Sequence, residues 1–187
     1  MEGWMIALII IVVIVVLILA FVGMTYNKLV VLRNKVKDQW AQIDVLLKRR
    51  ADLIPNLVET VKGYASHESE TLENVIAARN RLVDAKTTEE EIKADGELSR
   101  ALGRLMAVAE AYPDLKANTN FLDLQNNLKE SEDKIQYARQ FYNDAVFNYK
   151  NKTEVFPSNI VASLFNFKPE AFFEIDEASK EAPKVQF

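Results

Sequence analysis

The sequence predicts an all-α protein: a single N-terminal transmembrane helix, an antiparallel four-helix bundle and a short C-terminal amphipathic helix. Three observations predict this fold class. An unbroken apolar run lies near the N-terminus, apolar residues recur every three or four positions through most of the remaining chain, and only five Gly and five Pro occur among 187 residues. Helical spacing with few turn-forming residues favours long helices over strands.

The apolar run extends from Trp4 to Val22 and contains no charged residue. As a helix, its nineteen residues would be about 28 Å long, close to the hydrocarbon thickness of a bilayer. Lipid offers the backbone no hydrogen bonds, so a helix is imposed there even on β-branched residues. The residues assigned to this membrane anchor are Trp4, Ile9, Val13, Leu17, Phe21 and Tyr26.

Two other interpretations of the run are a cleaved signal peptide and a buried core helix. A signal peptide has a basic start, a shorter apolar core and a small-residue cleavage site, whereas this chain begins with Met1-Glu2 and offers no such site. A core helix is rarely apolar on every face. The sequence therefore favours a single-pass membrane span, with the lipid bilayer as its partner.

The orientation of the span is indicated by the basic residues beside it. Lys28, Arg33, Lys35 and Lys37 follow the run closely, and no basic side chain precedes it. The positive-inside rule then places the N-terminus outside and the helical domain in the cytoplasm. The alternative is that these residues are simply the solvated face of the first bundle helix.

An apolar stripe predicts the first bundle helix, and Pro55 interrupts it without shifting its phase. Its members are Val36, Trp40, Ile43, Leu47, Ile54, Leu57, Val61 and Tyr64, with Arg50 as the one charged member. Because proline removes a helical hydrogen bond, we expect a kink, and thus a hinge, at Pro55. A reversal of the chain at Pro55 is the alternative.

The second and third helices are predicted from their ends. Gly63 and Ser66 indicate a helix end and a new N-cap, and the second helix would run to about Ala85. Thr87 and Thr88 each precede a Glu by three residues, which is typical of a capping box. We expect Pro113 to close the third helix, whose inward residues would be Leu98, Leu102, Leu105, Ala109 and Tyr112.

The fourth helix has the most regular pattern, with 3-4 spacing over about 30 residues typical of a bundle seam. Its seam residues are Phe121, Leu124, Leu128, Ser131, Ile135, Ala138, Tyr142, Ala145 and Tyr149. Short connections between the four helices favour an antiparallel bundle. The first bundle helix could continue directly from the membrane span.

The chain after residue 152 is rich in Phe, and we divide the sequence into an anchor (1–25), a bundle domain (26–152) and a C-terminal segment (153–187). The candidate interaction and self-assembly residues are Phe156, Ile160, Leu164, Phe165, Phe167, Phe172 and Phe173. They could cover the open end of the bundle, or they could form a docking segment or a lip in the membrane interface.

The residues offer little for catalysis, and we expect no enzyme activity and no cofactor. The chain has no Cys and one His, His67, so thiol chemistry and sites with two imidazoles are excluded. The net charge of −4 argues against binding of nucleic acid. The charged stretch from Lys48 to Asp52 could bind phosphate, but an ion-pair network with acidic residues of other helices is favoured.

The sequence resembles the bacterial LemA family over nearly its whole length. The resemblance rests on YNKLVVLRNKV (26–36), IDVLLKRRADLIPNLVETVKGYASHE (43–68), GRLMAVAEAYPDLKANTNFLDLQ (103–125), IQYARQFYNDAV (135–146), FPSNIVASLF (156–165) and VQF (185–187). It implies an N-terminal anchor, an antiparallel four-helix bundle and no established catalytic activity. We expect the anchor to lie in the cell (inner) membrane.

Two functions other than catalysis fit the residues. The first is a membrane-anchored scaffold that forms homo-oligomers or recruits an unidentified membrane protein. The second is a sensor or adaptor for a membrane enzyme such as a protease, with Pro55 as a bend between stalk and bundle. An enzyme with a polar pocket between helices is the least favoured, because the seam of the fourth helix offers no ionisable group.

Overall fold

The computed structural model describes residues 2–173 and contains six helices and no strand within them. The helices are α1 (Glu2–Lys62), α2 (Ser69–Asp84), α3 (Thr88–Ala109), α4 (Pro113–Lys116), α5 (Thr119–Glu154) and α6 (Ser158–Leu164). The prediction of an all-α chain with one long apolar N-terminal helix is confirmed. The antiparallel arrangement of the bundle stays a prediction. Residues 174–187, including VQF, lie outside the described part.

Helix α1 joins the apolar run and the first predicted bundle helix into one element of 61 residues. Pro55 lies inside it, so the chain does not reverse there. The helix ends at Lys62, just before Gly63, as expected. The amides of Tyr64 and Ala65 then donate to the carbonyl of Val61, which satisfies a helix-end acceptor.

The ends of α2 and α3 partly match the prediction. Ser66 is not the N-cap of α2; that position is Glu68, whose side chain makes no capping bond. Thr87 caps α3, and its hydroxyl accepts a hydrogen bond from the Glu90 amide at 3.2 Å. Thr87 is therefore the N-cap, and the Glu90 carboxylate accepts from the Lys86 amide at 2.8 Å, one residue before the amide that it would bond in a standard capping box.

Pro113 does not close α3, which ends four residues earlier, and instead begins the one-turn helix α4. Proline suits the first position of a helix because its φ angle is already helical and its missing N–H would be unpaired there. Asn118 then precedes α5, and its side-chain oxygen accepts from the Phe121 amide at 3.0 Å. An extra turn thus stands where the sequence predicted only a connection.

The chain divides into two compact units. The first unit contains the chain before Ala41 together with Phe141–Phe172, and Leu29, Val36, Tyr149 and Val161 are buried in it. The second unit contains Ala41–Gln140 and Phe173. In the second unit α2 packs on α3. Of the residues predicted to face inward there, Tyr64 is exposed and Tyr112, Leu124 and Ala138 are half-buried, whereas the others in α1, α3 and α5 are buried. Examples are Ile43, Leu47, Ile54, Leu57, Leu98, Leu105 and Ile135.

Candidate functional site

The apolar part of α1 is long enough and apolar enough to cross a membrane. An 18-residue window in it has a mean hydropathy of 3.8, and none of that window is buried inside the protein. All six predicted anchor residues are exposed: Trp4, Ile9, Val13, Leu17, Phe21 and Tyr26. This segment therefore finds no apolar cover within the described residues, unlike the core helix of a soluble protein.

Aromatic rings of the first unit meet α1 just after the apolar run. The ring of Tyr26 lies 4.8 Å from that of Phe165 and 5.6 Å from that of Phe167, both edge-on. The guanidinium of Arg33 stands 5.1 Å from the centre of the Phe167 ring. Edge-on ring pairs and a cation over a ring are both attractive, so the chain after α6 is held against α1.

A second set of contacts in the first unit involves α5. The ring of Trp40 lies 5.2 Å from that of Tyr142, whose hydroxyl donates to the carbonyl of Ala171 at 2.9 Å. The ammonium of Lys150 lies 5.5 Å from the centre of the Phe172 ring. Burial, with a smaller effect from the nearby Glu170 carboxylate, raises the pKa of Tyr142 to about 12, so its hydroxyl remains a donor at neutral pH.

The structure divides the candidate interaction residues into two groups. Phe167 and Phe173 are buried and Phe172 is half-buried, so these three rings cover their own units. Phe156, Ile160, Leu164 and Phe165 are exposed. Of the candidate interaction residues, this second group is the one that offers an exposed surface to a partner.

A network of charged side chains lies in the second unit, in which Arg50 and Asp95 are buried and the side chains of Arg139 and Glu132 are 17% and 39% exposed. Nη1 of Arg50 lies 2.8 Å from Oδ1 of Asp95 and 2.8 Å from Oε2 of Glu132. The same nitrogen donates to the Ser99 hydroxyl at 3.1 Å, and Arg139 pairs with the other oxygen of Asp95. Two cations face two carboxylates, so the network carries no net charge.

This network confirms that Arg50 belongs to an ion-pair network with acidic residues of other helices. Asp95 was not predicted to face inward, although it lies three residues before Leu98 and continues the spacing of that seam. Ionisable groups therefore do converge between helices, contrary to the expectation from the seam of the fourth helix: Glu132 and Arg139 flank it. Because the charges are mutually paired, the arrangement can hold α1, α3 and α5 together.

Pro55 has a compensating contact in the second unit. It cannot supply the amide that would bond the carbonyl of Ala51, four residues earlier. Nε of Arg79 in α2 donates to that carbonyl oxygen at 3.4 Å. A helix interrupted by proline is thus supported from a neighbouring helix.

The other sequence features lie on the surface. His67 is exposed, and the described residues hold no group of three or more His, Cys, Asp or Glu that could bind a metal. The Tyr112 hydroxyl donates to the Glu68 carboxylate at 3.1 Å, and this bond raises the pKa of Tyr112.

A cleft of about 290 Å³ lies between α1, α2 and α3. It is lined by side chains of both charges, including Asp44, Lys48, Asp52, Arg79 and Glu91.

These features define a helical protein with one helix able to span a membrane and a domain in which paired charges join α1, α3 and α5. The LemA family model matches residues 39–187, and the chain belongs to the LemA family.

Individual relatives agree with this family. The chain is 28% identical over 186 residues to magnetosome proteins MamQ 1 and MamQ 2 of Paramagnetospirillum magneticum, covering 84% of this chain and 68% of each relative. It is 27% identical over 157 residues to protein LemA of Metamycoplasma hominis, covering 82% of this chain and 71% of the relative.

Proposed function

We propose that this protein is a membrane-anchored helical scaffold that self-associates at the membrane surface and acts without catalysis. The observation that carries the proposal is the composition of α1. Its first part exposes an apolar surface with a mean hydropathy of 3.8, whereas its later part supplies buried seam residues such as Ile43 and Leu57. The same helix therefore serves as the membrane anchor and as part of the helical domain.

The partner of the first part of α1 is the lipid bilayer, and we place the protein in the cell (inner) membrane as a single-pass protein. The basic residues from Lys28 to Lys37 favour the N-terminus outside and the helical domain in the cytoplasm. Protease added to sealed cells would then leave the domain intact. Cleavage of the domain in intact cells would reverse this orientation.

Self-association is supported by large aromatic side chains that are exposed outside the apolar run. Phe141 and Phe147 of α5 are both exposed in the first unit, and aromatic residues are enriched at protein interfaces. Phe141→Arg with Phe147→Arg should lower the particle mass of the full chain in mild detergent, measured by native mass spectrometry. The matched control is Val83→Arg, which changes an exposed apolar residue of α2.

The control should leave the particle mass unchanged. A strictly monomeric unsubstituted protein would contradict self-association. An oligomer unaffected by both substitutions in α5 would show that its interface lies elsewhere.

A sensor or adaptor for a membrane enzyme, such as a protease, is the second candidate function. The observation that favours it is the bond from Arg79 to the carbonyl freed by Pro55, because a hinge in α1 would make or break that bond. Pro55→Ala should then change the activity of the partner enzyme in cells without changing the amount of protein in the membrane. Unchanged activity would remove the support for this function.

A further inference from the structure

The short helix α6 has one buried side and one exposed side. Both sides carry apolar residues, with Ser158 on the buried side and Ser163 on the exposed side. Val161 and Ala162 are buried in the first unit. On the other side, Ile160 and Leu164 are one turn apart and 60% and 71% exposed, and Phe156 before the helix is 74% exposed. We call Phe156, Ile160, Leu164 and Phe165 the α6 face.

The α6 face lies at the level where the apolar run ends. The Phe165 ring contacts the Tyr26 ring at 4.8 Å, and Tyr26 follows Val22 by four residues, or about 6 Å of helix rise. Burial on α1 also begins here, because Thr25 and Leu29 are buried whereas the run before them is exposed. The first unit therefore packs on α1 directly beside the predicted span.

The chain segments near this level carry basic side chains, together with two exposed carboxylates, Glu154 and Glu170. Lys28 and Lys168 are exposed, and Arg33 and Lys150 lie over the rings of Phe167 and Phe172. Aromatic and basic residues together are typical of the membrane–water interface, where rings enter the headgroup region and cations meet anionic lipids.

The small size of the α6 face favours lipid over a second copy of the chain. A stable protein interface takes about 800 Å² from each partner, which four partly exposed side chains do not provide. The apolar surface of α1, in contrast, continues to within about 6 Å of the α6 face.

We infer that the α6 face inserts into the interface of the same bilayer that holds α1, with anionic headgroups beside Lys28 and Lys168. This inference rests on the proposed membrane anchor. Insertion would give the first unit a second contact with the membrane and fix its tilt relative to the bilayer surface. A buried span alone leaves that tilt unrestrained.

The absence of Cys from the chain allows a site-specific test on the full-length protein. Leu164→Cys carries an environment-sensitive fluorophore in nanodiscs of phosphatidylcholine and phosphatidylglycerol, with part of the lipid brominated near the headgroup. Leu17→Cys is the control for the span, and Val83→Cys is the control for an exposed apolar residue of α2. Ile160→Cys provides a second position on the α6 face.

We expect bromolipid to remove about half of the emission at positions 164 and 160 and little at position 83. Quenching at Leu17→Cys without quenching at 164 and 160 would overturn the inference and leave the anchor standing. No quenching at any position would overturn both. Discs that hold a single copy of the chain test the remaining outcome. If the fluorophore at position 164 reports an apolar environment only in discs with several copies, a second copy covers the α6 face and the inference is wrong.

Discussion

Arg50 of α1 and Asp95 of α3 form an ion pair in the second unit, with Nη1 and Oδ1 2.8 Å apart and only 5% and 0% of their side chains exposed. Asp95 also forms an ion pair with Arg139, and Arg50 also forms one with Glu132. Both residues occupy seam positions that an apolar side chain would ordinarily fill. We expect such a pair to select which helix faces meet, because any other alignment would leave a buried charge unpaired.

Removal of Asp95 should therefore destabilise the protein strongly. Asp95→Ala leaves Arg50 and Arg139 with one carboxylate fewer, and loss of one partner of a buried pair costs about 3–5 kcal/mol. The measurement is urea unfolding of the full chain in detergent, followed by circular dichroism. Glu97→Ala, in the same helix, removes a more exposed partner of Arg81 and should cost less than about 1 kcal/mol. Equal costs for the two substitutions would contradict the role of the network.

The support of Pro55 by Arg79 can be measured by a double-mutant cycle. Arg79→Met should cost about 0.5–1.5 kcal/mol, because the carbonyl of Ala51 loses its donor. In a Pro55→Ala background the alanine amide can bond that carbonyl, so the cost of Arg79→Met should largely disappear. Urea unfolding of the four proteins gives the coupling energy. A coupling of zero would show that the Arg79 bond does not compensate for the proline.

The stability of the first unit should fall at alkaline pH. The pKa of Tyr142 in the folded protein is about 12, raised from 10.0. Its contribution to the free energy of unfolding is therefore fully present below pH 10.0 and is lost as the pH rises toward about 12. Two pKa units correspond to about 2.7 kcal/mol, and the loss should stay below that limit because solvent screening reduces it. Thermal unfolding of the unsubstituted protein and of Tyr142→Phe, at a series of alkaline pH values, checks this.

Tyr142→Phe keeps the ring beside Trp40 but has no hydroxyl to ionise. Its stability should therefore fall less steeply with pH than that of the unsubstituted protein, and the difference between the two isolates this residue from other tyrosines. Parallel curves would contradict the raised pKa.

The cap of α3 provides a test at the helix end. Thr87→Ala should cost about 1 kcal/mol, because the Glu90 amide loses its acceptor. Thr88→Ala changes the neighbouring residue, which lies inside α3, and should have little effect. The change in thermal midpoint distinguishes them, and a larger loss from Thr88→Ala would place the cap one residue later.

Regular patterns made much of the fold predictable from sequence. The apolar run and the seam of α5 each follow from spacing and residue type within one segment, and the same reasoning places the cap of α3 at Thr87 or Thr88. The helix limits near Gly63 were predictable for the same reason.

Other features depend on neighbours in space. Asp95 faces inward because Arg50 and Arg139 neutralise it, and a pattern that counts only apolar residues passes over it. Similarly, Pro55 remains inside α1, and Arg79 donates to the Ala51 carbonyl that the proline leaves without its helical partner. The residues around Pro55 in the sequence do not identify that donor. The division of the C-terminal Phe residues depends on rings and cations from α1 and α5, so composition alone could not separate buried Phe167 from exposed Phe156.

The most direct test of the account is extraction of membranes that contain the full-length chain with alkaline carbonate, followed by flotation on a density gradient. The apolar part of α1 is not buried by any other part of the chain among residues 2–173. The chain should therefore stay in the membrane pellet and float with the lipid. Release into the soluble fraction, as a monodisperse protein in detergent-free buffer, would contradict the membrane anchor and the scaffold built on it.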